Sequence, residues 1–491
     1  MRDIIFTFFN YFVFFYTSML AIFFVTFAFL SFISLKRRKD YYVESYMRKT
    51  IKESPYTPGI SVIAPAFNEE KTIIDNVNSM LALEYPLFEV VIVNDGSTDS
   101  TLEKMTEYYE LVEVPYAYIE RIKTRPFRRL LKSSNPKYSR LIVVDKENGG
   151  TKADASNAGI NVASHPYFIC TDVDCILEKY ALYRCISPII SSEKQVIAVS
   201  GTMLMANGCV VKDGQIIDVR TPRTPIPLFQ NLEYMRSYLI GKMGWSAING
   251  MPNVSGGFGL FDRSVAIAAG GYDAPSFAED MDLITRMVGY MCDFSRPYKI
   301  IQIPDTCCWT EGPPNLAMLY RQRTRWARGL FQTLNIHRKM IFKKTYKQMG
   351  MLTLPYMFVF EFLAPIIELV GLIVFIYLAF TGAVNWNTAW MIYLTIYTFC
   401  QFLSIVVITY DYNVGMLYKR GYEYLWIIIA SILEPIFYHP IITFCSLIGY
   451  LSYLTNRDFK WRNMERKGFK QKEESADGTD ITAMKPEPAT I

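Results

Sequence analysis

Histidine is scarce in this 491-residue chain: only His165, His337 and His439 occur. That scarcity argues against a histidine-built metal centre and against a Ser–His–Asp triad. The nine cysteines form no C-x-x-C pair and have no histidine at ligand spacing. Cys307 and Cys308 are adjacent, which suits neither a zinc site nor an unstrained disulfide. They read as reduced, buried thiols of a cytosolic domain. Charge is absent from residues 4–35, and acid is absent from 121–137 and from 312–347, which hold seven and nine Lys/Arg. The chain shows no internal repeat.

What is present is apolar bulk: 51% of residues are hydrophobic, with 33 Phe and 34 Tyr, and they are unevenly spread. Residues 4–35 exceed the roughly 20 apolar residues that a helix needs to cross hydrocarbon. The basic cluster Lys36-Arg37-Arg38-Lys39 follows the run instead of preceding it, so the segment reads as an uncleaved anchor with residues 40–345 on the cytoplasmic side. Further apolar stretches lie at about 351–382, 387–410 and 424–453. Glu361 and Glu368 around Pro365, Glu434-Pro435 and His439-Pro440 interrupt them. Such groups are expected to face another helix or a cavity, and the first half of 351–382 also suits an interfacial helix. Four simple crossings would put the C-terminus outside, yet residues 454–474 hold seven Lys/Arg against four acids. A break at the prolines, making 424–453 a hairpin, would resolve that conflict. The resulting partition is an anchor (1–39), a soluble domain (40–345), membrane or interfacial helices (346–455) and a polar, partly disordered tail (456–491).

Between 60 and 172 strand and helix signals alternate, which predicts a mostly parallel α/β sheet. Apolar strands are expected at 60–64, 88–93, 141–144 and 167–170, with helices at 69–83 and 153–164 and a further helix capped by Thr98 or Asp99. Ligands of such sheets bind at the carboxyl ends of the strands. Polar residues collect there: Asn68 and Glu69, Asp95, Asp145 and Lys152, then Asp172 and Asp174. Several converging acids call for a counter-ion. In an extended Asp172-Val173-Asp174 both carboxylates would project to one side and suit a hard divalent cation.

The ordered set Ala64-Pro65-Ala66-Phe67-Asn68-Glu69-Glu70, Val93-Asn94-Asp95-Gly96-Ser97, Asn148-Gly149-Gly150-Thr151-Lys152, Thr171-Asp172-Val173-Asp174, Glu279-Asp280 and Gln322-Arg323-Thr324-Arg325-Trp326 resembles glycosyltransferase family 2. The last motif, Q-x-x-R-W, marks its processive branch, which includes cellulose, chitin and hyaluronan synthases and bacterial poly-β-1,6-N-acetylglucosamine synthases. Size and helix placement are most similar to the last group. The resemblance implies an α/β GT-A domain joined to transmembrane helices, a nucleotide-sugar donor, a polysaccharide or oligosaccharide acceptor and Mg²⁺ or Mn²⁺. It implies that Pro65, Glu69, Asp95 and Lys152 line the nucleotide, that Asp174 with Asp172 holds the metal, and that Asp280 is the general base. Glu279, Gln322 and Trp326 would lie at the acceptor end, with Arg325 near the diphosphate. Trp326 could stack on a sugar or belong to the core. Thr151 and Ala155-Ser156-Asn157 depart from the family's common Gly and Ala-Leu-Asn, and Ala278 from its Thr. Ser255-Gly256-Gly257-Phe258-Gly259 reads as an acceptor-facing loop or an ordinary turn. The basic 121–137 stretch has no counterpart in the better-known synthases.

These features predict a metal-dependent, inverting, multi-pass enzyme of the cell membrane, in contact with lipid and open to an accessory membrane subunit. The donor expected first is UDP-GlcNAc. Two rivals share the sequence: a non-processive transferase adding one sugar to a lipid-linked or short acceptor, and a non-catalytic partner of an export complex. The retained acids weigh against the second. Nucleic-acid binding is not expected, because the basic runs lack a known module.

Overall fold

The computed structural model describes residues 2–41, 44–173, 175–212, 214–414 and 417–455. Asp174 and the 456–491 tail therefore lie outside the described residues.

Among the described residues are twelve strands: β1 Ile60–Ala66, β2 Phe88–Asp95, β3 Leu111–Glu113, β4 Phe127–Ser133, β5 Leu141–Lys146, β6 Tyr167–Thr171, β7 Ile176–Leu177, β8 Gln195–Met205, β9 Val210–Lys212, β10 Gln215–Asp218, β11 Phe258–Asp262 and β12 Tyr298–Thr310. Ten form one sheet in the order β3-β4-β5-β2-β1-β6-β11-β8-β12-β7. Strands β5, β2, β1 and β6 are mutually parallel. Their apolar residues do not alternate with polar ones because both faces are covered: every residue of β2 and β5 is buried. The expectation of a mostly parallel sheet holds for this centre, while β11 joins β6 to β8 antiparallel. The sequence-unmatched basic stretch supplies β4, which extends the edge antiparallel to β5. Arg129 there pairs with buried Asp145 at 3.1 Å.

Local geometry moves several expected boundaries. The first helix runs Ile73–Leu81 and not from 69. Asn68 turns the backbone through φ 59°, a left-handed conformation that Asn tolerates and a helix does not. Neither Thr98 nor Asp99 caps the next helix, Thr101–Tyr108, whose N-cap is Ser100. Asp99 instead accepts the N–H groups of Glu70 and Thr101, pinning the two loops together.

Among the described residues four helices are long and apolar enough to cross a membrane: Tyr11–Lys36, Met349–Phe380, Trp386–Val414 and Gly421–Leu454. The second is divided. Residues 349–362 contain π-helical turns and bury Met349, Leu354, Tyr356, Met357 and Phe360, whereas Ala364–Phe380 is largely exposed. The buried part packs against the first helix, with Tyr16 and Phe23 on Phe360 and Phe27 on Tyr356 and Trp245.

The hairpin expected at 424–453 is corrected: Gly421–Leu454 is one continuous helix. Pro435 lacks the N–H that Ser431 C=O would accept, and Gln401 Nε2 of the neighbouring helix takes that carbonyl at 2.6 Å. A cross-helix donor thus repairs the gap. The helix tracks the globular domain from end to end. Glu423 pairs with Arg223 at 2.9 Å, Glu434 with Arg236 at 2.8 Å, and Tyr438 donates to Glu233. At its far end Tyr453 meets Phe331, and Asn335 donates to the Tyr453 hydroxyl. Both ends of the helix thus contact the same domain. The costly groups face helices as expected, with Glu368 accepting from His439 and Thr443.

Two outcomes follow. A cysteine introduced at Thr455 will be labelled by an impermeant thiol reagent from the same membrane side as one at Lys339; opposite sides would refute the path of the last helix. Gly449 faces Thr324 O and Ala327 Cβ so closely that a new Cβ would lie 2.7 Å from each. Gly449→Leu will lower the thermal midpoint in detergent by at least about 2 °C, while Gly371→Leu, with nothing within 4 Å, will not.

Candidate active site

The parallel strands present their carboxyl ends at the point where the chain departs from β1 to β2 on one side and β6 lies on the other, a topological switch point. The loops after β1 and β2 interlock there. Asn68 Oδ1 accepts from Thr98 N at 2.8 Å, and Glu69 N donates to Thr101 Oγ1 at 2.8 Å. Pro65 sits in the last turn of β1 and is half-buried. Thr72 Oγ1 donates to the Glu69 carboxylate at 3.1 Å.

Asp95 ends β2 but is not an open carboxylate awaiting an external cation. The fully buried Lys146 reaches it at 2.6 Å and reaches Asp154 at 2.6 Å. Gly149 N–H also donates to Asp95 at 3.0 Å. Removing one member of such a buried set leaves a charge unpaired, at a cost of about 3–5 kcal/mol. Lys146 is therefore a site residue that sequence reasoning missed. The available signal was the need of clustered acids for a cation, and the lysine closing the strand Leu141–Lys146 was that cation. Asp145, counted among the strand-end acids, turns instead to Asn94 and Arg129.

Thr151, which departs from the family pattern, is the N-cap of the helix Lys152–Val162, accepting from Asp154 N. The cap leaves Lys152 at the first helical position, aimed across the switch point. Its Nζ lies 2.6 Å from Asp172 Oδ1 and donates to Gly256 O at 2.6 Å. Burial alone would push the Lys152 ammonium down, but Asp172 overrides it and holds it charged, above the ordinary lysine range. Asp172 follows directly on β6, and Cys175 N donates to its carbonyl at 3.0 Å. The extended reading of Asp172-Val173-Asp174 involves Asp174, which lies outside the described residues.

The loop Ser255–Gly257 links this donor side to the opposite wall. Thr171 Oγ1 donates to Gly257 O at 2.9 Å, and Gly256 N donates to Asp280 Oδ2 at 3.0 Å. Asp280 lies in the first turn of the helix Glu279–Asp293, where the helix dipole favours an anion. Its other oxygen accepts from Met281 N at 2.8 Å. Glu279 stands beside it. Burial pushes its carboxyl up, Arg325 and Lys152 draw it down, and Asp280 raises it further.

Arg325 belongs to the helix Leu316–Ile336, which carries Gln322 and Trp326 at neighbouring positions of one face. Gln322 Oε1 accepts from Gln230 Nε2 at 3.0 Å. One face of Trp326 is covered by the Arg323 guanidinium, 4.5 Å from the ring centroid, so at most the other face is open to a sugar. Arg323 forks onto Glu233 and also reaches the Tyr438 hydroxyl. The motif thereby sits at the contact between the globular domain and the last helix. The structure brings together Lys152, Asp172, Glu279, Asp280 and Arg325, and places Glu69 and Asp95 further along the same sheet edge.

A divalent cation has a credible first ligand. Asp172 is an oxygen donor with a side chain 36% exposed, beside a loop of glycines. Among the described residues no group of three His, Cys, Asp or Glu side chains could hold a metal. The remaining oxygens would come from Asp174, outside the described residues, and from a diphosphate.

Residues 61–208 match the model described as glycosyl transferase family 2, and residues 223–410 that of glycosyl transferase family group 2. A poly-β-1,6-N-acetyl-D-glucosamine synthase of Staphylococcus epidermidis is 25% identical over 393 residues, 77% of this chain and 83% of that protein. The enzyme of that name from Staphylococcus aureus strain COL is 29% identical over 278 residues, 56% and 55% of the respective chains. A mannosyltransferase from Pyrobaculum calidifontis, solved with GDP-Man and Mn²⁺, aligns at 17% identity with a TM-score of 0.47, covering 88% of this chain and 100% of that one. Sheet, switch point and matched motifs agree: the chain is a glycosyltransferase of GT-A fold and belongs to family 2, similar to the poly-β-1,6-N-acetylglucosamine synthases.

Proposed function

We propose that this enzyme transfers N-acetylglucosamine from UDP-GlcNAc to the hydroxyl end of a growing β-linked polysaccharide, with inversion, from a catalytic domain on the cytoplasmic side of the cell membrane. The observation that carries the reading is the loop Ser255–Gly257, whose Gly256 touches both Lys152 of the donor wall and Asp280 of the acceptor wall. In the reaction the acceptor oxygen attacks the anomeric carbon as the bond to the diphosphate breaks. The acceptor proton passes to Asp280, and UDP leaves with the bonding pair. Asp280 holds two N–H donors, so its carboxylate is fixed in direction before the acceptor arrives. Lys152 and Arg325 supply positive charge where the leaving diphosphate gains negative charge. Asp172, with Asp174, would hold Mg²⁺ or Mn²⁺, which when bound neutralises the diphosphate. Glu69, Asp95 and Pro65 frame the uridine end.

Processive elongation is favoured by the seat of Gln322, Arg325 and Trp326. Their helix packs against Gly421–Leu454, so the acceptor end of the site adjoins the membrane helices through which a long product would leave. The relatives' names favour N-acetylglucosamine over glucose. An accessory membrane subunit would have ample apolar surface on Ala364–Phe380 and Trp386–Val414.

Asp280→Asn keeps the oxygen that accepts from Gly256 and removes the base. It will lower kcat by about 10²–10⁴ with little change in the KM for UDP-GlcNAc, measured as UDP release. Full activity in that variant would remove Asp280 as the base. Radiolabelled UDP-GlcNAc with purified enzyme will yield polymers far longer than the acceptor; a product extended by one sugar would overturn processivity.

A further inference from the structure

Lys146 closes β5 in register with Asp95 at the end of β2. Neighbours in a parallel ladder project to the same face of a sheet. Asp95 and Lys146 therefore share one face, while Asn94 and Asp145 join on the other at 2.9 Å. The Lys146 side chain is fully buried, and its three donors meet three acceptors: Asp95 Oδ1 at 2.6 Å, Asp154 Oδ2 at 2.6 Å and Glu147 O at 2.5 Å. An ammonium so occupied has no donor left for a ligand and acts only through what it holds. Asp95 is 6% exposed, and its Oδ1 also accepts from Gly149 N at 3.0 Å. Both donors thus converge on one oxygen. Among the described residues the other oxygen, Oδ2, accepts no hydrogen bond, yet it is not sealed from solvent. The carboxylate is pinned by one oxygen and leaves a second that can only accept.

We infer that Lys146 is a positioning residue that sets base specificity: by holding Oδ1 of Asp95 it leaves Oδ2 as the acceptor that selects a pyrimidine carrying a ring N–H. This rests on the reading of the donor as a uridine nucleotide with Asp95 at its base end. Uracil presents N3–H between two carbonyls, whereas cytosine presents a lone pair at N3. A carboxylate oxygen with no proton to give takes the first and repels the second. A merely structural ion pair would tie the two strands together and leave that choice untouched. The two roles separate in Asp95→Asn, which keeps the pair between Lys146 and Asp154. Lys146 and Gly149 both donate, so the amide oxygen must take the Oδ1 place and the amide NH2 the Oδ2 place. The site then offers a donor, which suits cytosine N3 and opposes uracil N3–H.

The test titrates UDP and CDP, each with Mn²⁺, into the full-length enzyme in detergent by calorimetry, with the thermal midpoint of each variant as the check on folding. Wild type will bind UDP at least about tenfold more tightly than CDP. Asp95→Asn will weaken UDP by about tenfold or more and keep or tighten CDP, so that the order of the two reverses. In Asp95→Asn/Lys146→Met/Asp154→Asn the set carries no charge and only Gly149 holds the amide, so the reversal will shrink at least about threefold. Affinities for UDP and CDP that fall together in Asp95→Asn would overturn the proposal. So would a triple variant that keeps the full reversal, because the orientation would then belong to Gly149 alone. Wild type binding UDP and CDP equally would instead remove the uridine reading itself, on which the selection depends.

Discussion

The backbone of Gly256 is the tie on which the site depends. Its carbonyl receives the ammonium of Lys152 and its N–H is given to Asp280. One residue without a side chain thus fixes the separation between Lys152 and Asp280, the cation and the base of the proposed reaction. A Cβ at Gly256 would lie 3.7 Å from Asp280 and Glu279, and one at the next residue, Gly257, 2.6 Å from Met203.

Charge placement follows from this closeness. The donor edge pairs its acids with internal lysines: Lys146 with Asp95 and Asp154, Lys152 with Asp172. The acceptor wall carries two adjacent carboxylates; burial raises Glu279, and Arg325 and Lys152 oppose that shift. Cations thus stand between the acids, and a dianionic leaving group enters a site already balanced for it. The same economy governs the membrane side. Glu423, Glu434 and Glu368 each meet a cation or a hydroxyl of a neighbouring segment, and Gln401 mends the gap that Pro435 opens. That is why the last helix continues through two prolines and stays on the globular domain.

The parts legible in the sequence were those governed by neighbours in the chain. The buried parallel strands announce themselves as apolar runs, and their polar ends mark the ligand edge. Gln322, Arg325 and Trp326 fall on one helical face by spacing alone. Asp280 and Lys152 were singled out by their motifs, whereas the helix start at the first and the capping Thr before the second emerged from the structure. What could not be read was partnership across long separations. Lys146 is 51 residues from Asp95, Gly256 is 104 from Lys152, and Gln401 is 30 from the carbonyl it serves.

Sequence by itself therefore determined the strand–helix alternation, the acid-lined edge, the motif face and the apolar helices, because each is set by periodicity and local backbone chemistry. Only the tertiary structure decided three other features. Asp95 is spoken for by a buried lysine, Trp326 offers a single face, and the prolines do not break the last helix. Hydrogen bonds and ion pairs are satisfied by whatever group packing brings near, and that choice is made in three dimensions.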